Sequence, residues 1–458
     1  MIRKSLLLFS VNTTGRAFQY LYRVVMSYFL TVREFGVLSA SLPYQSFVLL
    51  FTSMSLTPTV SRFTSQYKEE EREKIVNVFS LLFVGLLMCG ILYGSTGLFS
   101  QFFGEEFSAS QSVLRILSAA VPFAVLLCIC TGIFLGYEKT KLVALSLIVY
   151  QCVMILSSYI LVQSFRLNGA AQGILFGYIF SGVLALVLVL QFRLPVHIMI
   201  REMAKIMRFS LPVLAGVTGL WGLLNVDILV LARFVSAEEV GLYGMAAPTA
   251  RLVFGFSVAL SALVVPRVSE LKHKGIDTTQ SIGSSFEMCA VVTLPIAVTL
   301  AAFSKEILYV LFGQYEGYLS LTILSTGMLF YSLFFVGYSA LQGLGMPERS
   351  MGIAVTAAVC NIFLCFLFIP HYGLEGAAFA TSLSCVVGMV LALSFLKIVV
   401  VPRIWYIIVF LPLFLFQQYV GILESRLMTM TVYGAVGLPF IVGYFLLSKK
   451  YLHAQKEI

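Results

Sequence analysis

Apolar segments of about twenty residues recur along the whole chain. Each is long enough to cross a hydrocarbon layer of about 30 Å as a helix. They fall near 6–30, 36–60, 76–99, 112–136, 142–164, 170–192, 209–232, 241–265, 282–303, 320–344, 351–369, 376–397, 404–421 and 428–447. Lipid offers no partner to a backbone N–H or C=O, so segments of this length are confined to helices. A soluble core is excluded by composition: 59% of the 458 residues are hydrophobic and 11% are charged, against about 25% charged in soluble domains. The expected fold is all-α: a polytopic membrane protein of about fourteen transmembrane helices. The opening MIRKSLLLFS has no small-residue cleavage site after it, and it reads as the start of a retained first helix.

Lys and Arg set the orientation. With the N-terminus in the cytoplasm, the segments on that side hold twenty-one of them and the opposite side five. Both termini are then cytoplasmic, and the net charge of +9 reflects this asymmetry rather than nucleic-acid binding. An internal repeat follows from three matches in order. REFGVLSAS at 33–41 recurs as EEVGLYGMA at 238–246, an offset of 205, with Pro43 and Pro248 in register. LRILS at 114–118 recurs as LTILS at 321–325, and NGAAQG at 168–173 as EGAAFA at 375–380, both at 207. The organisation expected is an N-terminal six-helix half (1–192), a cytoplasmic linker (193–208), a C-terminal six-helix half (209–397) and a final pair of helices with a cytoplasmic tail (398–458). Six is even, so the halves form a parallel repeat about the membrane normal, an arrangement of alternating-access transporters with the substrate site between the halves.

Charge inside the spans is sparse and costly, about 2.5–3.5 kcal/mol per residue at a helix centre. The first span carries Asn12, Arg16, Gln19 and Arg23, whose spacing puts them on one helical stripe. Arg251 is the third deep cation, and Asp227 is its candidate partner or that of Arg23. Arg115 and Glu287 lie near span ends, where snorkelling accounts for them. The glycine pairs 90/94, 132/136 and 173/177 mark expected close helix contacts. Tyr20, Tyr22, Tyr28, Tyr150 and Tyr331 are candidates for stacking on sugar rings, against a packing role.

The 6 + 6 + 2 helix order, LARFVSAEEVGLYGMA after the seventh span and the repeated GAA entry to the sixth and twelfth resemble the multidrug/oligosaccharidyl-lipid/polysaccharide exporter superfamily. The likeness is nearest to its polysaccharide-transporter branch of O-antigen and capsule-unit flippases, relatives of the lipid II flippases. The resemblance implies a flippase that moves undecaprenyl-diphosphate-linked oligosaccharides across the bacterial plasma (inner) membrane by alternating access. Arg16, Arg23 and Arg251, with Gln19 and Asn12, would then line a diphosphate and sugar cavity, where forked guanidinium donors match phosphate oxygens. It also implies an ion-coupling site at Asp227, Asn361 and Thr381. Cys365 stands where the lipid II flippase pattern has a second acid, and helix two shows Ser39, Ser41, Tyr44 and Gln45 in place of a further arginine. The coupling ion is expected to be sodium, held at Asp227, or a proton. Partners implied are the lipid-linked oligosaccharide, membrane lipids, and polysaccharide polymerase and chain-length machinery.

Other functions fit less well. The eight cysteines lie in apolar segments without metal-ligand spacing, the four histidines are scattered, and there is no GxxxxGK[ST] for ATP, so no resident cofactor or catalytic site is expected. A membrane-embedded sugar polymerase would need a substantial outer loop, and the longest one, near 100–111, offers only Glu105 and Glu106. An organic-cation antiporter of the same superfamily would call for an acidic or apolar cavity, whereas four cations against two acids lie within the spans.

Overall fold

In the computed structural model the structure describes residues 2–66, 81–191 and 200–396. The final helix pair expected at 398–458 lies outside this set; of the expected linker 193–208, residues 200–208 form the start of a helix and the rest lie outside. Among the described residues every regular element is helical. In chain order these are α1 (Ile2–Phe29), α2 (Val32–Gln66), α3 (Leu81–Phe103), α4 (Ser110–Gly136), α5 (Thr140–Leu190), α6 (Ile200–Phe234), α7 (Ala237–Ala250), α8 (Gly255–His273), α9 (Thr279–Ala302), α10 (Ser304–Phe312), α11 (Tyr318–Gly343) and α12 (Pro347–Leu396). Eight helical stretches among the described residues are long and apolar enough to span a membrane. Two of them, α5 and α12, are 51 and 50 residues long, and each merges two expected spans across a kink.

Two compact units emerge. The first comprises Met1–Trp221 with Val235–Gly241, and the second Gly222–Phe234 with Leu242–Ile458. In the first, α4 packs on α5, α2 and α3, and α1 packs on α5. In the second, α11 packs on α12, α9 and α8. The repeat governs local geometry as well as sequence. Helix α4 closes with Lys139 N–H donating to the Phe134 carbonyl at 2.8 Å, and α11 with Met346 N–H donating to Leu341 at 2.9 Å. These are six-to-one Schellman bonds, and the left-handed residue each requires is Glu138 (φ 58°) in one and Gly345 (φ 69°) in the other, 207 positions on. The kinks agree too: Arg166 in α5 has φ 47°, ψ −124°, and Gly373 in α12 has φ 51°, ψ −125°. The two non-glycine residues with positive φ among the described residues thus stand where the second repeat carries glycine.

The recurring motif at 33–41 and 238–246 is a packing device. Gly36 lies so close to Ala237 and Gly241 that a Cβ would overlap the Ala237 carbonyl, and a Cβ on Gly241 would overlap the Val32 carbonyl. Positions 32 and 36 correspond to 237 and 241, so the two copies meet reciprocally, each glycine facing the other copy's carbonyl. Gly132 and Gly136 seat Val60 and Thr64 of α2, and Gly173 and Gly177 seat Ser158 and Met154 in the other arm of α5. Among the described residues nothing lies within 4 Å of a Cβ at Gly90 or Gly94. Leu86, Leu87 and Ile91 beside them are exposed, so this stretch of α3 is a surface of its unit.

Arg166 holds its unfavourable backbone beside an ion pair. Its Nη2 donates to Glu34 Oε2 at 2.8 Å and its Nε to Oε1 at 3.2 Å, a forked contact. Partial burial pushes the Glu34 carboxyl up, but the bonds from Arg166 and from the Thr31 N–H and hydroxyl outweigh it and hold the group below the usual carboxylate range. A lowered carboxyl stabilises the fold above its unfolded pKa, and that stabilisation is lost as pH falls through the folded value. The backbone strain costs about 1–3 kcal/mol, and an exposed pair contributes about 0–1 kcal/mol. Arg166→Gly is therefore expected to raise the melting temperature in detergent, while Arg166→Ala, which keeps the strain and loses the pair, lowers it. The deficit of the alanine variant should shrink on acidification below the carboxylate range. An alanine variant as stable as the glycine variant would contradict the strain argument.

Candidate functional site

Helix α1 has three distinct faces. One is buried: Tyr22, Met26 and Leu30 are inside the unit, and the Tyr22 hydroxyl donates to the Ala170 carbonyl of α5 at 3.0 Å. At about 100° per residue, Arg16, Gln19 and Arg23 follow one another along a neighbouring face, where Arg16 and Gln19 are exposed and Arg23 is half-buried. The opposite flank is apolar. There Phe18, Leu21, Val25 and Tyr28 of α1 and Ile155 and Tyr159 of α5 line an open groove of 730 Å³, with Phe29 set edge-on to Tyr159 at 5.3 Å. Polar and apolar exposure on one helix are thus separated by its packing face. The side chain of Asn12 lies outside the described residues.

The second unit holds a buried polar network. Asp227 of α6 is 1% exposed, Asn361 0% and Thr381 1%. Asp227 Oδ2 accepts the Tyr243 hydroxyl at 2.6 Å and the Thr381 hydroxyl at 3.2 Å, while Oδ1 accepts the Ile228 N–H at 2.8 Å. Thr381 Oγ1 also lies 3.4 Å from Asn361 Oδ1, which accepts the Cys365 thiol at 3.3 Å. Asn361 Nδ2 donates to the Leu223 carbonyl at 3.0 Å. Asp227 comes from α6, Tyr243 from α7, Asn361 and Cys365 from the first arm of α12 and Thr381 from the second, so the Gly373 kink that folds α12 back is what brings Asn361 and Thr381 together. Tyr243, absent from the expectations, had a signal in its position inside the repeated motif.

Arg251 belongs to the same neighbourhood. It opens a 3-10 turn (Arg251–Phe254) between α7 and α8, just after Pro248, which removes one backbone donor from the helix. Its Nη1 donates to Asn225 Oδ1 at 3.3 Å and its Nη2 to the Leu224 carbonyl. It therefore ties α7 to α6 one turn before Asp227, rather than forming a direct ion pair with that carboxylate.

The repeat supplies an internal comparison. At an offset of 205, Asp227 corresponds to Tyr22, and at 207, Asn361, Cys365 and Thr381 correspond to Met154, Ser158 and Ile174. Arg16 and Arg23 correspond to Trp221 and Ile228. Each unit thus lacks the polar set of the other: the cationic stripe is confined to the first and the buried carboxylate to the second.

Several other expectations are placed by the structure. Tyr22, Tyr150 and Tyr331 are buried; Tyr150 packs on Tyr178 at 4.3 Å and Tyr331 on Phe254 at 5.1 Å, so they are core residues rather than sugar platforms. Tyr28 is exposed in the apolar groove and Tyr20 is half-buried. Ser39, Ser41, Tyr44 and Gln45 of α2 are buried, the Tyr44 hydroxyl donating to the Leu92 carbonyl at 2.8 Å. Arg115 is exposed with its guanidinium 5.5 Å over the Tyr93 ring, and Glu287 is half-buried. Among the described residues no cluster of three or more His, Cys, Asp or Glu is present.

Paired kinked helices in two repeats, with a cationic stripe on α1 and a buried polar network around Asp227, are the features of a multi-pass membrane transporter. Comparison with known proteins agrees. The family Polysaccharide biosynthesis protein matches residues 1–272 and the MatE family residues 212–367. An uncharacterized membrane protein, MJ1375 of Methanocaldococcus jannaschii, is 24% identical over 406 residues, covering 84% of this chain and 95% of that protein. A putative O-antigen transporter of Shigella flexneri is 22% identical, covering 78% and 88%. The lipid II flippase MurJ in an inward closed conformation has the same fold, with a TM-score of 0.83 and 15% identity over 99% of this chain and 100% of that one. The chain belongs to the polysaccharide biosynthesis protein family, within the multidrug/oligosaccharidyl-lipid/polysaccharide exporter superfamily.

Proposed function

We propose that this transporter flips a polyprenyl-diphosphate-linked oligosaccharide, an O-antigen or similar repeat unit, across the cell membrane by alternating access. In bacteria the carrier would be undecaprenyl diphosphate and the site the plasma membrane, with both termini cytoplasmic. The observation that carries the reading is the Arg16–Gln19–Arg23 face of α1, exposed at Arg16 and Gln19 and half-buried at Arg23, on a helix whose opposite flank is apolar. Permanent cations held there suit an anionic cargo that must leave water, and guanidinium forks fit diphosphate oxygens. Arg251, with its donors engaged to α6, would act on the cargo through the Asp227 region.

Coupling would run through the second unit. Asp227, Thr381 and Asn361 present three oxygens spaced 3.2–3.4 Å apart, the separation expected when hard-cation ligands at about 2.3–2.6 Å sit near right angles. The donor set therefore fits sodium, which would supply charge neutralisation there. Cys365 contributes a soft thiol that a hard cation does not favour, and a proton on Asp227 would meet the same need.

Proteoliposomes carrying a labelled lipid-linked oligosaccharide test the reading. An imposed sodium or proton gradient should move label into the protected leaflet. The MatE match over 212–367, which contains Asp227, Tyr243 and Asn361 of the buried network but not Thr381, makes an organic-cation antiporter the second reading; gradient-driven dye movement with no glycan movement would favour it. Polysaccharide polymerase and chain-length machinery would be the downstream partners.

A further inference from the structure

At the Gly373 kink, where α12 turns back at the end of a span, a separate pocket of 330 Å³ opens on the second unit. It is lined by Ile323, Phe368, Tyr372, Glu375, Gly376 and Phe379. Phe368 is held edge-on to Phe379 with centroids 5.2 Å apart, and Tyr372 stands 6.4 Å from Phe368. Tyr372 and Phe379 are 63% and 48% exposed, although both are large aromatic groups. Glu375 is half-buried among them. Among the described residues no hydrogen bond or ion pair to its carboxylate is found. The neighbouring His371 lies against the Tyr372 ring with centroids 6.4 Å apart.

The first repeat shows that the kink does not require this set. The corresponding positions carry Ile116, Leu161, Phe165, Asn168, Gly169 and Gln172. There the Asn168 side-chain oxygen accepts the Ser112 hydroxyl at 2.8 Å, so the polar group is satisfied internally. In the second repeat Leu319 replaces Ser112, the acid replaces the amide, and two aromatics are added. Aromatic faces around one carboxylate form a cage for an organic cation, and the position at the end of a span sets the pocket at headgroup depth, where aromatic rings settle. We infer that this pocket is a binding site for the ammonium headgroup of a membrane aminolipid, seated on Phe368, Tyr372 and Phe379 with its charge on Glu375.

The test uses the full-length protein in detergent with equal amounts of phosphatidylethanolamine and phosphatidylglycerol, and native mass spectrometry to count retained lipids. Wild type should retain a phosphatidylethanolamine that Glu375→Gln and Phe379→Ala bind roughly fivefold more weakly, from loss of one charge contact or one ring. Phosphatidylglycerol retention should not change. Glu375→Asn, which installs the residue that the first repeat uses at this position, keeps the fold intact while losing the lipid. Equal phosphatidylethanolamine retention by the wild type and by folded Glu375→Asn would overturn the assignment. So would equal loss of both lipids, or retention restored by an amino sugar in place of the aminolipid. Glycan transport is not the readout, so this result and that of the flipping assay fail independently.

Discussion

Asp227→Asn is expected to slow gradient-driven glycan movement at least tenfold while the protein remains folded in the membrane. The variant keeps the shape of the side chain and removes its charge. The network explains why folding survives: an amide oxygen still accepts the Tyr243 and Thr381 hydroxyls, and the new NH₂ meets only the Ile228 N–H, a mismatch of about 1–3 kcal/mol. Asp227→Ala is the harsher change, because it leaves both hydroxyls and the Ile228 N–H without their buried acceptor, and it should lower stability by about 3 kcal/mol or more. Thr381→Val separates the two coupling ions. It removes a ligand that a hard cation needs and that a proton on the carboxylate does not, so a sodium-driven rate should fall and a proton-driven one persist. A gradient response in vesicles that is the same for Asp227→Asn and wild type would remove this residue from coupling.

The second large effect belongs to α1. Each charge-assisted hydrogen bond to phosphate contributes about 1.5–3 kcal/mol. Arg16→Ala with Arg23→Ala should therefore reduce flipping by about 150-fold or more, which surface polysaccharide in a complemented strain would report as near-complete loss. Lysine at both positions restores charge without the fork and should recover only part of the rate. Arg251→Ala is expected to differ in kind. Its guanidinium holds the Leu224 carbonyl and Asn225, so its loss should lower the melting temperature as well as transport. Normal polysaccharide from a well-folded Arg16/Arg23 double variant would end the case for the stripe as the phosphate site.

Much of the fold is legible in the residues alone. Span length and the cost of unpaired backbone in lipid left no alternative to helices. The 205 and 207 offsets marked positions that share a backbone conformation, Glu138 with Gly345 and the kinks at Arg166 and Gly373. The grouping of Asp227, Asn361 and Thr381 came from family likeness rather than from spacing, since 134 positions separate the first two and no periodicity spans that distance. Tyr243 escaped notice because a tyrosine in an apolar helix reads as packing until its hydroxyl is seen on a carboxylate. The glycine pair 90/94 shows the limit of such a pattern: it states that a close approach is sterically permitted, and among the described residues no neighbour makes one.

The all-helical membrane class, the internal repeat and the placement of charge on one stripe of α1 follow from local periodicity and from the energetics of lipid as a solvent, so the residues alone carry them. Which polar groups meet is set by the packing of helices far apart in the chain. Hydrogen bonds act over about 3 Å, and the partners of Asp227, the grip of Arg251 on α6, the reciprocal contact of Gly36 and Gly241 and the aromatic surround of Glu375 depend on how distant helices are brought into register.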